Sequence, residues 1–243
     1  MPDTASALTG PLLVLVAMPE EAAPLTSRLE DPQPLPTPFA AGVAAVRGRL
    51  AGADAVVVTT GIGVAAATAA ATWGILSLSP GLVVAAGSCG GLAADVEVDT
   101  VIVGERFAWS IADATAFGYA PGQLPGGPER VEALPEWVDL AERAARTAPA
   151  TAVRRGLMLA GDAFVTAPLA APMRERFPGA LSADMETTAS ARTAEALGVP
   201  FVALRAVSDL CGPAAGQQFH LELDQVAETS ARAVTALAGT LAG

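Results

Sequence analysis

The chain has 243 residues, is 52% hydrophobic and carries a formal net charge of −11, with 25 acidic residues against 14 basic ones. A chain of this size can bury one substantial core, and its acidic balance, with Arg154-Arg155 as the single adjacent basic pair, excludes a nucleic-acid backbone as partner. Every basic residue is Arg, Asn is absent and His220 is the single histidine, which excludes a lysine-ended phosphate loop, Schiff-base chemistry, N-glycosylation and a multi-histidine metal site. No metal or cofactor is expected.

Residues 1–10 read as a loose tail and residues 11–243 as a single domain. Leu12 to Ala17 is a short apolar strand. No basic region precedes it and acids follow, so it is not read as a signal peptide. No stretch of 18 consecutive apolar residues occurs, and a cytoplasmic protein is expected. Glu20 to Leu29 reads as a helix and Pro32 to Pro38 as a loop. Val43 to Leu50 and Ala55 to Thr60 read as strands joined by a turn. After the Gly61 to Gly63 corner comes an Ala-rich helix, Val64 to Leu78. Leu82 to Ala86 is the next strand, with Gly87-Ser88-Cys89-Gly90-Gly91 as a turn after it. Val101 to Gly104 is a strand, Gly118 to Pro128 a Gly/Pro-rich loop and Leu134 to Arg146 a helix. Gly156 to Ala160 is a strand, Met173 to Phe177 a short helical piece, and Ala180 to Met185 leads into a helix over Glu186 to Leu197. Gly198-Val199-Pro200 stops that helix. Phe201 to Val207 is the last strand, and the terminal helix is expected over Asp224 to Leu241.

Strands that alternate with helices and are apolar on both faces give an α/β fold with its sheet covered on both sides. Ligands then gather at the carboxyl ends of the strands. That directs attention to Met18 to Glu21, Gly61 to Gly63, Gly87 to Gly91, Gly161 to Val165, Asp184 to Glu186, and Ser208-Asp209. Each has a structural reading. Glu20-Glu21 suits a helix first turn, Asp184-Met185-Glu186 a helix start, Asp209 a cap, and the glycines a tight turn or a phosphate nest. Together they put three carboxylates at strand ends of one sheet, which points to acid–base chemistry by carboxylates. Cys89 and Cys211 form no CxxC pair and read as small fillers.

The stretches AMPEE (17–21), TGIG (60–63), AGSCGGL (86–92), DATAFGYAPGQLPG (113–126), GDAFV (161–165), ADMETTA (183–189) and VPFVALRAVSD (199–209) stand in the order of a known family. The chain resembles the 5′-methylthioadenosine/S-adenosylhomocysteine nucleosidases, within the purine nucleoside and uridine phosphorylase fold. The resemblance implies a central mixed twisted sheet flanked by helices and a cofactor-free homodimer. It implies hydrolysis of the N-glycosidic bond, with Glu21 activating water and Asp209 protonating purine N7. Ser208 would hold Asp209, Glu186 the ribose hydroxyls, and Met185 the underside of the sugar. Phe164 would stack on adenine, the Val165 backbone read its edge, and Ser88 and Gly90 line the ribose and base site. Met18, Ile62 and Leu223 would border the 5′-thioalkyl group, and Phe117, Tyr119 and Pro125 would reach it from the partner subunit.

Some positions depart from the family. Pro19 replaces an acid, Asp184 stands where Glu is common, Leu223 stands where Phe is common, and Gly212 to Gly216 reads as an insertion. The last two lie around the 5′ pocket and lid and bear on 5′ specificity, not on the reaction, and Leu223 would widen the pocket. The alternatives are a nucleosidase for another 5′-modified nucleoside such as a futalosine-type substrate, a phosphorylase, and a non-catalytic nucleoside-binding protein.

Overall fold

The computed structural model describes residues 8–150 and 152–242. The tail expected over 1–10 falls mostly outside the described residues, and Leu8 already packs against the core. Among the described residues ten strands form one sheet: β1 (Leu12–Val16), β2 (Leu29–Leu35), β3 (Ala44–Leu50), β4 (Ala53–Thr59), β5 (Leu82–Gly91), β6 (Thr100–Trp109), β7 (Val131–Glu132), β8 (Ala152–Ala160), β9 (Ala180–Asp184) and β10 (Phe201–Asp209). Six helices flank it: α1 (Pro19–Thr26), α2 (Val64–Leu78), α3 (Pro135–Ala145), α4 (Ala167–Arg176), α5 (Thr187–Ala196) and α6 (Ala215–Ala242). This is the single α/β domain expected, with a mixed sheet.

β1 explains the layering. All five of its side chains are buried, and they alternate between two cores. Leu12, Val14 and Val16 face Leu25 of α1 and Val234 and Leu237 of α6. Leu13 and Leu15 face Ala70, Ala71 and Ile75 of α2, with Ala191 and Ala194 of α5. A strand with helices on both faces must be apolar throughout. The small residues let α2 come close: a Cβ on Gly74 would lie 2.8 Å from a Leu13 methyl.

The topology makes the site. β5 pairs in parallel with β1 through Ala85 and with β10 as far as Gly90, then antiparallel with β9 at Gly90 and Gly91. The pairings β10–β6, β6–β8 and β8–β9 then close a ring of five strands. β1 stops at Val16 while β5 runs on, so the edge of β5 that β1 pairs is left without a strand neighbour between Ala85 and Gly90. Side chains fill that gap.

Three expectations are corrected. Pro32 to Pro38 is not all loop, because Leu29–Leu35 forms β2, which also ends α1 before Leu29. β2 pairs only with β3, at the sheet edge, with its register shifted between Glu30 and Gln33. An edge strand tolerates Pro32 and Pro34 because one side of its backbone has no partner strand to receive an N–H. Gly87 to Gly91 is not a turn but the end of β5, held by β10 and β9. The terminal helix starts at Ala215, well before Asp224, so Gly212 to Gly216 leads directly into it.

Candidate active site

A cavity of about 300 Å³ opens at the carboxyl ends of β1, β5, β9 and β10. That is at the small end of the range for small-molecule sites. Met18, Glu21, Ile62, Ser88, Gly90 and Phe164 line it, with Met185, Glu186, Ser208 and Asp209 opposite. Ten of the residues expected at the site are therefore brought together. Cys89, Asp184, Arg205 and Phe219 also line it.

Four hydrogen bonds fix Glu21. Its Oε2 accepts from the amides of Ala17 (2.8 Å) and Met18 (3.1 Å), and its Oε1 from the amide and hydroxyl of Ser88 (2.7 and 2.8 Å). The carboxylate takes the place next to β5 that β1 vacates. Gly87 makes room for it: its φ is +110°, and a Cβ there would lie 2.4 Å from Glu21 Oε1. The Gly87 amide turns the other way and donates to Ser230 Oγ of α6 at 2.9 Å.

Asp209 sits on the far side of β5, at the end of β10, and is 2% exposed. The Cys211 amide donates to its Oδ1 and the Ser208 hydroxyl to its Oδ2, both at 3.0 Å. Burial pushes the Asp209 carboxyl above its ordinary range, against those two donors. Ser208 Oγ also lies 3.3 Å from the Cys89 carbonyl. Its one proton can therefore turn to that carbonyl when Asp209 is itself protonated and donating.

Glu186 precedes α5 and is 5% exposed. Its Oε1 accepts the Gly63 amide at 2.9 Å, and its Oε2 lies 3.3 Å from Arg205 Nη2. Burial is the largest influence and pushes the Glu186 carboxyl up to about 7, with Asp184 and Glu21 adding to it and Arg205 and Gly63 opposing it. Asp184 caps α5, accepting from the amides of Glu186 (2.9 Å) and Thr187 (2.7 Å) and from the Thr187 hydroxyl (2.6 Å). It thereby fixes the turn that presents Glu186.

Sequence reasoning missed Arg205 and Phe219. Arg205 is 2% exposed inside β10. It donates to the Ser88 carbonyl at 2.8 Å and faces Glu186 and Asp184, the latter 3.7 Å from its Nε. The signal was a lone Arg inside the apolar run FVALRAV. Phe219 packs edge-on against Phe164, centroids 5.8 Å apart. Leu223 was expected in this position and does not line the cavity. It lies one turn further along α6, because that helix starts early enough to aim Phe219 instead.

The side chains of the other expected residues do not line the cavity. Val165 is buried among Leu92, Ala170 and Met173. Tyr119 and Pro125 lie in the 118–128 loop, and Phe117, just before it, is 81% exposed. Among the described residues no group of three His, Cys, Asp or Glu side chains could hold a metal, and no helix is long and apolar enough to cross a membrane.

Comparison with known proteins sets this geometry in context. Residues 11–242 match the family described as the phosphorylase superfamily. The chain is similar to a 5′-methylthioadenosine/S-adenosylhomocysteine nucleosidase from Neisseria meningitidis in complex with methylthio-immucillin-A: 35% identity, 94% of this chain, 98% of that one, TM-score 0.89. It is similar to the same type of nucleosidase from Colwellia psychrerythraea 34H in complex with adenine, at 31% identity, 96% of each chain and TM-score 0.89. A futalosine hydrolase of Helicobacter pylori shares the fold at 24% identity, covering 96% of this chain and 98% of that one, with TM-score 0.86. By sequence and by fold, this chain belongs to the phosphorylase superfamily.

Proposed function

We propose that the chain hydrolyses the N-glycosidic bond of 5′-methylthioadenosine and S-adenosylhomocysteine, releasing adenine and the 5′-thio-ribose. The observation that carries this is the set of three buried carboxylates, Glu21, Glu186 and Asp209, around one otherwise largely apolar cavity. In this reading Asp209 donates a proton to purine N7, so that adenine leaves neutral. The sugar gains oxocarbenium character, which nearby carboxylates stabilise. Glu21 orients water and takes its proton as the new C–O bond forms. Glu186 accepts hydrogen bonds from the ribose hydroxyls, Met185 packs under the sugar, and Ser208 steadies Asp209. Phe164 stacks on adenine, the Val165 backbone reads its edge, and Ser88 and Gly90 line the ribose and base.

Water rather than phosphate is the nucleophile in this reading. The one Arg at the cavity, Arg205, already faces two carboxylates and a carbonyl, and Glu21 would repel an anion. The test incubates the protein with 5′-methylthioadenosine with and without phosphate. Equal release of adenine and free methylthioribose is expected. A sugar 1-phosphate formed only with phosphate would refute hydrolysis, and no adenine in either sample would move the reading to another nucleoside or to binding alone.

Met18, Ile62 and Phe219 border the 5′ group, with Phe219 in the role first expected of Leu223. Phe219→Ala should change KM for 5′-alkylthio substrates by roughly tenfold, the scale of one lost aromatic contact. Leu223→Ala should stay within about twofold; KM values across methylthio to butylthio substrates decide. The reading also makes the protein a homodimer, in which Phe117, Tyr119 and Pro125 of one copy cover the 5′ end of the other's cavity. The 81% exposure of Phe117 and the 57% exposure of Ile62 support a covering surface.

A further inference from the structure

Helix α2 has no cap of its own. Its N-cap residue is Gly63, its first turn holds no acid, and Val64 follows directly. A helix N-terminus leaves its first amides without partners. Here carboxylates from two other loops supply them. Glu186 accepts the Gly63 amide, and Asp162, in the loop after β8, accepts the Val64 amide at 2.7 Å. Gly63 has φ +100°, and a Cβ there would lie 2.9 Å from Asp162 Oδ1, so the contact requires the glycine.

Asp162 is itself held at the site. Its neighbour Gly161 donates to the Asp184 carbonyl at 3.2 Å, two residues before Glu186. Two residues after it, Phe164 lines the cavity. On the other side, Gly61 donates to the Ala17 carbonyl at 3.1 Å. Ile62 and Gly63 thus hang between one anchor at Gly61 and a second at Val64, and Asp162 is the second.

We propose that Asp162 is a positioning residue, which caps α2 across the mouth of the cavity and so keeps the Gly63 amide aimed at Glu186. Its consequence for the reaction rests on the hydrolytic reading above, in which Glu186 binds the ribose. The groups facing Glu186 are Arg205 from β10, Asp184 from β9, Glu21 from α1 and the Gly63 amide before α2. Of these, Asp162 governs only the amide. A donor to the ionised form lowers a carboxyl pKa. Loosening Gly63 therefore raises the Glu186 midpoint.

The test follows the carbon-13 carboxyl signal of Glu186, assigned by its loss in Glu186→Gln, through a pH titration of the unliganded protein. Asp162→Ala should move the midpoint up by roughly half a unit to one unit. Asp162→Asn keeps the acceptor oxygen and should restore it. In assays, Asp162→Ala should raise KM by roughly tenfold with kcat less affected, and its acidic limb in kcat/KM should move with the midpoint. Because Asp162 is exposed, neither variant disturbs a core. An unmoved midpoint in Asp162→Ala overturns the inference, as does Asn behaving like Ala. The titration needs no turnover, so a protein that fails to cleave the nucleoside refutes the reaction while the positioning claim is judged separately.

Discussion

Asp209→Asn is expected to lower kcat for adenine release by about a hundredfold to ten-thousandfold while the fold persists. Adenine leaves poorly as an anion, so most of the catalysis asked of this residue is supply of a proton. An ordinary carboxyl with pKa near 4 is protonated about once in a thousand molecules at pH 7, a deficit of roughly 4 kcal/mol. Burial of Asp209 raises its pKa and removes part of that deficit before substrate arrives. Asn keeps the shape. Its carbonyl oxygen can accept the Cys211 amide, and its NH2 can donate to Ser208 Oγ, the two partners Asp209 has now. It cannot supply the proton, and loss of a positioned general acid costs about a hundredfold to ten-thousandfold. The stability sign runs the other way. A carboxyl whose folded pKa is raised contributes stability below its unfolded pKa and loses it as pH rises through the folded value. The Asn variant should therefore be at least as stable as the parent at pH 8. Single-turnover adenine release and urea unfolding at pH 8 make the check. Turnover within tenfold of the parent would remove Asp209 from the mechanism.

The parts of the molecule that were legible in the sequence are those where local pattern and tertiary context agree. β1 is uniformly apolar because helices cover both its faces, and α2 announces itself by Ala-rich composition and the glycines before it. Strand ends could be found from strands, which is why most of the site residues were in view. β2 was hidden because Pro32 and Pro34 argue against a strand, and only its position at the sheet edge makes them harmless. Gly87 to Gly91 carries the composition of a turn. It stays extended because β10 and β9 hold it from both sides, a long-range fact. The start of α6 was hidden by GQQFH, which has no apolar period; the contact between Phe219 and Phe164 that helps define it lies 55 residues apart in sequence. Arg205 was passed over because a strand of apolar residues was read as core. Its partners, Asp184, Glu186 and the Ser88 carbonyl, come from elements far away along the chain.

That buried cation carries the largest expected effect on stability. Arg205→Met should destabilise the protein by about 3–5 kcal/mol at pH 8, because removing one member of a buried ionic cluster leaves the others uncompensated. Met preserves much of the volume, so the cavity term is small. What remains is Asp184 and Glu186, both nearly inaccessible, facing each other's charge without a counter-ion. Glu186 is already pushed up to about 7 with Arg205 present, and without it the shift grows. The native state then binds more protons than the unfolded chain across the neutral range, so stability falls as pH rises and recovers in acid. The deficit of Arg205→Met should accordingly shrink between pH 8 and pH 5. Adding Glu186→Gln should return part of it at pH 8, since the two changes share a contact and are not additive. Urea unfolding of the single and double variants at the two pH values is the measurement. A deficit that is constant with pH, or largest in acid, would show that Arg205 acts through packing and its bond to the Ser88 carbonyl. The expected pattern would show that one guanidinium offsets the charge of four carboxylates in a largely apolar site, with one of them poised near neutrality.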